Sequence, residues 1–160
     1  MLNKKKSKTA ILAILTILLV TSSLYTYDNI NTPTLPNCEA TLKINISDNR
    51  SDLKGFYLLS VLPNQKKPGQ SSVIMNGSVN NNGKNYAISR KFLLKNVYQG
   101  DHFFLRIENI SIDPADQAKK EANIRGMPQL GQIYYLKIKQ LSEKNYIFEE
   151  NYAPLFICTV

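Results

Sequence analysis

An antiparallel β-barrel or sandwich of about eight strands with one short helix, preceded by one N-terminal transmembrane helix, is the mainly-β architecture that the sequence predicts. Three observations predict it. From Cys38 onward, apolar and polar residues alternate in short runs separated by Asn, Gly and Pro clusters. Ahead of that region, an uncharged run rich in Ile and Leu, Thr9 to Tyr25, follows Lys4, Lys5, Lys6 and Lys8. A cysteine stands at each end of the alternating region, Cys38 and Cys158.

The apolar run comes first in the chain. A helix rises about 1.5 Å per residue, so this one reaches roughly 25 Å, the short end of what crosses a bilayer. Tyr25 and Tyr27 extend it into an interfacial aromatic belt. Lysine is expensive to translocate, which keeps the four lysines in the cytoplasm and puts everything after Tyr27 outside. The chain then divides into a cytoplasmic basic tip (1–8), a signal anchor in the lipid bilayer (9–27), a linker holding Pro33 and Pro36 (28–37) and a periplasmic β domain (38–160). A cleaved signal peptide is the alternative, with Thr21 and Ser23 as the small residues before the cut, although no A-x-A pattern is present.

In Cys38–Ile46 every even position is apolar and every odd one polar, which is a half-buried strand. A second strand is expected over 55–62, ended by the Pro-, Gly- and Lys-rich stretch 63–70, and a third over 71–79. Asn80-Asn-Asn-Gly83 supplies the positive-φ residues of a tight hairpin into a fourth strand at 85–94. Gly100-Asp101 marks the next turn, and the fifth strand covers 102–112. A short helix follows, with Asp113 as its cap, Pro114 at its first position, Asp116 near its positive end, Lys119, Lys120 and Arg125 toward its close and Gly126 as its left-handed stop. The last three strands are expected at 132–141, 145–150 and 155–160, with Ser142-Glu143-Lys144 turning between the first two.

An extracytoplasmic location makes Cys38 and Cys158 candidates for a disulfide closing a loop of about 120 residues, worth on the order of 4–5 kcal/mol by loop entropy. Two separate buried thiols are the alternative. Half of the net charge of +8 comes from the four tip lysines, so the basic balance implies no nucleic-acid partner. One His and two Cys cannot assemble the usual zinc or iron–sulfur frameworks, and neither a metal nor a cofactor is expected.

No Ser sits in a nucleophile elbow, and His102, the one histidine, enters a strand directly after Asp101. The chain therefore reads as non-enzymatic, an envelope hydrolase built on His102 being the distant alternative. Glu149-Glu150 and the Asp113/Asp116 pair read as solvated charge, since adjacent strand residues point to opposite faces. Lys66-Lys67 and Arg90-Lys91 read as solubilising loop charge or as contacts to anionic headgroups.

The aromatics say more. Phe56, Tyr57, Phe103, Phe104, Tyr134, Tyr135, Tyr146 and Phe148 recur on the expected strands, often as adjacent pairs. Each pair puts one ring on either face of a sheet, so one serves the core and the other needs a cover. That cover is a partner surface, an apolar ligand or the fold's own second layer.

The basic tip and single helix, the nearby Cys38, the stretches Asn76-Gly77-Ser78-Val79 through Tyr86-Ala-Ile-Ser-Arg90 and Gly131-Gln-Ile-Tyr-Tyr-Leu-Lys137, and the closing Pro154-Leu-Phe-Ile-Cys158 together resemble the FidL-like family of small enterobacterial inner-membrane proteins. The resemblance covers nearly the whole chain and carries no catalytic signature. It implies a single-pass inner-membrane accessory protein whose periplasmic domain binds and stabilises the periplasmic domain of a membrane-bound, winged-helix transcriptional regulator. The arrangement is similar by looser analogy to ToxR–ToxS and VtrA–VtrC pairs. A stand-alone lipocalin-like periplasmic binder of an apolar small molecule is the alternative, and it requires a cavity lined by several of the aromatics just named.

Overall fold

A computed structural model describes residues 14–23, 33–47, 52–120, 124 and 126–160. The chain divides into two compact units, Met1–Pro33 and Thr34–Val160. In the first, residues 14–23 are helical, and the Thr21, Ser22 and Ser23 hydroxyls donate to the carbonyls of Leu18, Leu19 and Val20. Among the described residues no helix is long and apolar enough to cross a membrane. The expected 9–27 anchor extends on both sides of the described helix, and the basic tip lies outside the described residues.

The second unit is a closed barrel of eight antiparallel strands in sequence order: β1 Cys38–Ser47, β2 Asp52–Pro63, β3 Gln70–Asn81, β4 Lys84–Gln99, β5 His102–Ile112, β6 Ile133–Gln140, β7 Asn145–Glu150 and β8 Ala153–Thr159. Of the two expected architectures, the barrel is the one formed. Closure comes from β8 returning to β1 at Glu39↔Thr159. The Cys38–Cys158 disulfide clasps the same place, with Cα atoms 5.6 Å apart.

Period two explains the strands. In β2, Leu53, Gly55, Tyr57, Leu59 and Val61 are buried, while Lys54, Phe56 and Leu58 between them are exposed. The tight turns follow from residues that tolerate positive φ. Asn82 and Gly83 (φ 50° and 83°) join β3 to β4, and Gly100 and Asp101 (56° and 66°) join β4 to β5. With that turn fixed, β4 continues past the expected Leu94 to Gln99, because 95–99 pair with His102–Arg106.

The expected short helix is present between β5 and β6. Among the described residues of that region it is a 3-10 helix, Gln117–Lys120, which begins after Asp113 and Asp116 because those expected capping residues have other work. Asp113 closes an Asx turn onto the Ala115 amide. Asp116 is fully buried and bound to Arg90, with Nε to Oδ2 at 2.8 Å and the Ser89 amide on the same carboxylate at 3.2 Å. The Gln117 side chain accepts from the Ala87 amide. The β5–β6 connection thus covers the stretch of β4 that runs beyond the end of β5, an edge otherwise open to strand pairing. Arg90 is accordingly a half-buried ion-pair partner and not loop charge. Gly126 does take a left-handed conformation (φ 79°).

Candidate functional site

The inward side chains do not fill the barrel. A cavity of about 380 Å³ remains, walled by Leu59 and Val61 of β2, Met75 of β3, Phe92 and Leu94 of β4, Leu105 and Ile107 of β5, Leu136 of β6 and Phe148 of β7. Leu35, Met127 and Pro128 add to the wall from outside the strands. Most of these side chains are buried. Those toward the β7–β8 hairpin are not: Tyr134, Glu150 and Phe156 are half-buried, and Leu155 is 38% exposed. Leu42, Ile44, Val73, Met127 and Pro128 of the lining are half-buried as well, and the most exposed lining side chain, Leu155, puts an opening of the cavity beside that hairpin.

Two local departures from regular strand geometry shape the interior. Gly55 leaves room for the Tyr57 ring, which folds back over it, so that a Cβ at Gly55 would stand 2.5 Å from the ring. Gly77 sits opposite Tyr57, where a Cβ would meet the Phe56 carbonyl at 2.1 Å. The two strands approach so closely there that only glycine fits. On the other side, the β7–β8 register shifts between Phe148 and Glu149, and Leu155 becomes the extra residue on β8. This bulge brings Leu155 as well as Phe156 to the cavity. Phe156 stacks on Phe148 at 4.6 Å.

Polar groups in the lining are few. Burial raises the Tyr57 phenol above its ordinary value, an effect that the Arg90 charge partly offsets. The Tyr134 phenol is pushed up to about 12, first by burial and second by the Glu150 carboxylate facing it. Both phenols therefore stay protonated and able to donate across the physiological range. Glu150 is the carboxylate at the mouth. Its neighbour Glu149 points outward to an ion pair with Lys139 at 2.6 Å, so the two acids expected to be solvated charge part company, and Glu150 lines the cavity.

The eight sequence-chosen aromatics separate by face. Tyr57, Tyr134 and Phe148 line the cavity. Phe103 is buried beside Tyr98, with centroids 4.9 Å apart, and Tyr146 packs on the core. Phe56 is 56% exposed, and Phe104 and Tyr135 pack against one another on the outside at 4.8 Å. Tyr135 also stacks on His102, with centroids 4.2 Å apart and planes 9° from parallel. The His102 ring meets the Asp101 carboxylate and the Gly100 carbonyl, and Lys137 pairs with the other Asp101 oxygen. That hydrogen bond to Lys137 is the main reason the Asp101 carboxyl lies below the usual range. A small hollow of about 80 Å³ beside His102 is lined by Tyr135, Lys137, Glu149, Asn151 and Tyr152.

The aliphatic walls and Glu150 are the site residues that sequence reasoning missed. Their signal was present in the phase of the strands, since Glu150 shares a face with Phe148 and Leu136 pairs with it across the ladder. Among the described residues no group of His, Cys, Asp and Glu is placed to hold a metal ion. Compared with family models and with curated proteins, the chain matches none.

Proposed function

We propose that the β domain is a binding module that takes an apolar small molecule into the barrel interior. The observation that carries this reading is the cavity itself. Its volume, about 380 Å³, lies within the range of roughly 300–1,000 Å³ usual for small-molecule sites, and its wall has the usual character of many apolar groups with few polar ones. A barrel selected only for stability would fill such a space with larger side chains, because an unfilled void forfeits dispersion contacts along its whole lining.

The expected result is saturable binding of an apolar, environment-sensitive dye to the oxidised full chain. Leu105→Trp and Leu136→Trp, which place an indole in the cavity, abolish that binding while the β-sheet circular dichroism persists. Dye binding unchanged in both folded variants contradicts the reading.

A second reading is favoured by the apolar surface outside the barrel. Ile14, Leu15, Ile17, Leu18, Leu19 and Val20 are each more than half exposed around the described helix, and a helix that is apolar all round needs lipid or protein about it. In this reading 9–27 is the signal anchor in the inner membrane, and the barrel lies in the periplasm. There, as the FidL-like resemblance implies, it binds and stabilises the periplasmic domain of a membrane-bound winged-helix regulator. The outward Phe56 and Leu58, or the Phe104–Tyr135 pair, supply its contact face. The test is co-purification with the regulator together with the regulator's half-life after deletion of this protein. Absence of both effects removes the reading. The two readings are compatible, since one uses the interior and the other the exterior.

A further inference from the structure

We infer that the cavity selects a neutral or cationic amphiphile, an apolar body carrying a hydroxyl or amine, and discriminates against the corresponding acid. The inference rests on the ligand-binding reading above and concerns the polar groups at the mouth.

Glu150 carries it. Alternation along β7 turns Phe148 and Glu150 to the interior and Glu149 to the outer face. On the outer face Glu149 has Lys139 for a partner, and elsewhere Asp52, Asp101 and Asp116 meet Lys54, Lys137 and Arg90. Among the described residues no cation pairs with Glu150. A half-buried carboxylate in an apolar wall is costly unless a donor meets it. The nearby ionisable side chain in the lining is the Tyr134 phenol, kept protonated by its surroundings. What the mouth lacks is a donor or a positive charge on Glu150, and a hydroxyl or ammonium head group brings one.

An acid head group does the opposite. Two carboxylates brought to one mouth repel each other, which weakens the binding of the acid. The apolar wall then serves both ligands equally, and the discrimination falls entirely on the head group. Tyr57, folded over Gly55 and also in the lining, offers a further hydroxyl to a ligand bearing a second polar group along its body.

The test uses the full chain in phosphatidylcholine nanodiscs at about pH 8, where a free carboxylic acid is ionised, with empty nanodiscs as the reference for partitioning. Equilibrium binding is measured for radiolabelled dodecanol, dodecylamine and dodecanoate, which share one tail. The expected result is dodecanol and dodecylamine binding at least about tenfold more tightly than dodecanoate. Glu150→Gln should raise dodecanoate affinity by about tenfold, lower that of dodecylamine and leave dodecanol within about threefold. Dodecanoate binding as tightly as dodecanol to the native chain, or a preference unchanged by Glu150→Gln, overturns the inference while the cavity reading stands. Binding of none of the three overturns both.

Discussion

Between β3 and β4 the ladder runs without interruption from Gln70↔Lys95 to Asn81↔Lys84, whereas between β8 and β1 it is registered at Glu39↔Thr159. The walls differ in packing as well. Leu53, Val79 and Ile88 on the long-strand side are almost completely buried, together with Ala118 and Ile124 of the β5–β6 connection. On the short-strand side Tyr134, Glu150 and Phe156 are half-buried, and Leu155 is more exposed still. One wall therefore carries cooperativity, and the other, held by a covalent clasp in place of a long ladder, leaves a way into the interior. A barrel with equal walls would be either sealed or loose.

The largest expected effect comes from removing the clasp. Cys38→Ser with Cys158→Ser should lower unfolding free energy by about 4–5 kcal/mol in denaturant titration. Amide exchange should then accelerate first in β8 and in 41–47 of β1 and last in the β3–β4 hairpin. Uniform acceleration around the barrel breaks the comparison.

The long-strand wall has its own pin. Burial alone would raise the Asp116 carboxyl, but the Arg90 guanidinium and the Ser89 amide outweigh it and hold the group below the usual carboxylate range. Because the folded value lies below the unfolded one, this contribution is fully present above about pH 4 and is lost as pH falls through the folded value. Asp116→Ala leaves the half-buried Arg90 without its partner and should cost about 3 kcal/mol at neutral pH. Asp116→Asn should flatten the acid limb of the stability curve, and an unchanged acid limb contradicts the assignment.

Two glycine substitutions sharpen the picture at the Tyr57 site. Gly77→Ala drives a methyl group into backbone that has nowhere to go and should cost about 3 kcal/mol. Gly55→Ala meets only a movable ring and should cost about 1 kcal/mol while changing the shape of the cavity. Equal costs, read from melting curves, would mean that the ring is as fixed as the backbone. The smallest effect has the opposite sign. Tyr152 turns the β7–β8 hairpin at φ 66° and is 97% exposed. Tyr152→Gly should therefore stabilise by about 1 kcal/mol, and a loss of stability would show that the ring has a role in place.

Much of this fold was legible in the sequence because period two is a local signal. Cys38–Ile46 announces its buried face residue by residue, and Asn82-Gly83 can form few turns other than the one observed. Barrel closure was not legible from pattern, because pairing the first strand with the last is non-local; only the two cysteines hinted at it. The short helix between β5 and β6 was legible, but its late start was not, because Asp116 has cap chemistry and yet gives its carboxylate to Arg90, a partner far away in sequence. Arg90 and Glu150 were misplaced for a shared reason. Charge type suggested solvent, while strand phase put Arg90 with Ile88 and Phe92 and Glu150 with Phe148, and the phase prevailed. The cavity itself leaves no local signature, since its volume depends on how eight strands tilt and on which interior side chains fall short of the centre.

The most direct test of that cavity is xenon, which enters apolar voids and is seen as a heavy atom. A crystal of the oxidised protein under xenon pressure should show a peak inside the barrel among Phe92, Leu105, Leu136 and Phe148, with nothing comparable in the hollow beside His102. A barrel interior without xenon, filled by the side chains that line it, would contradict the account.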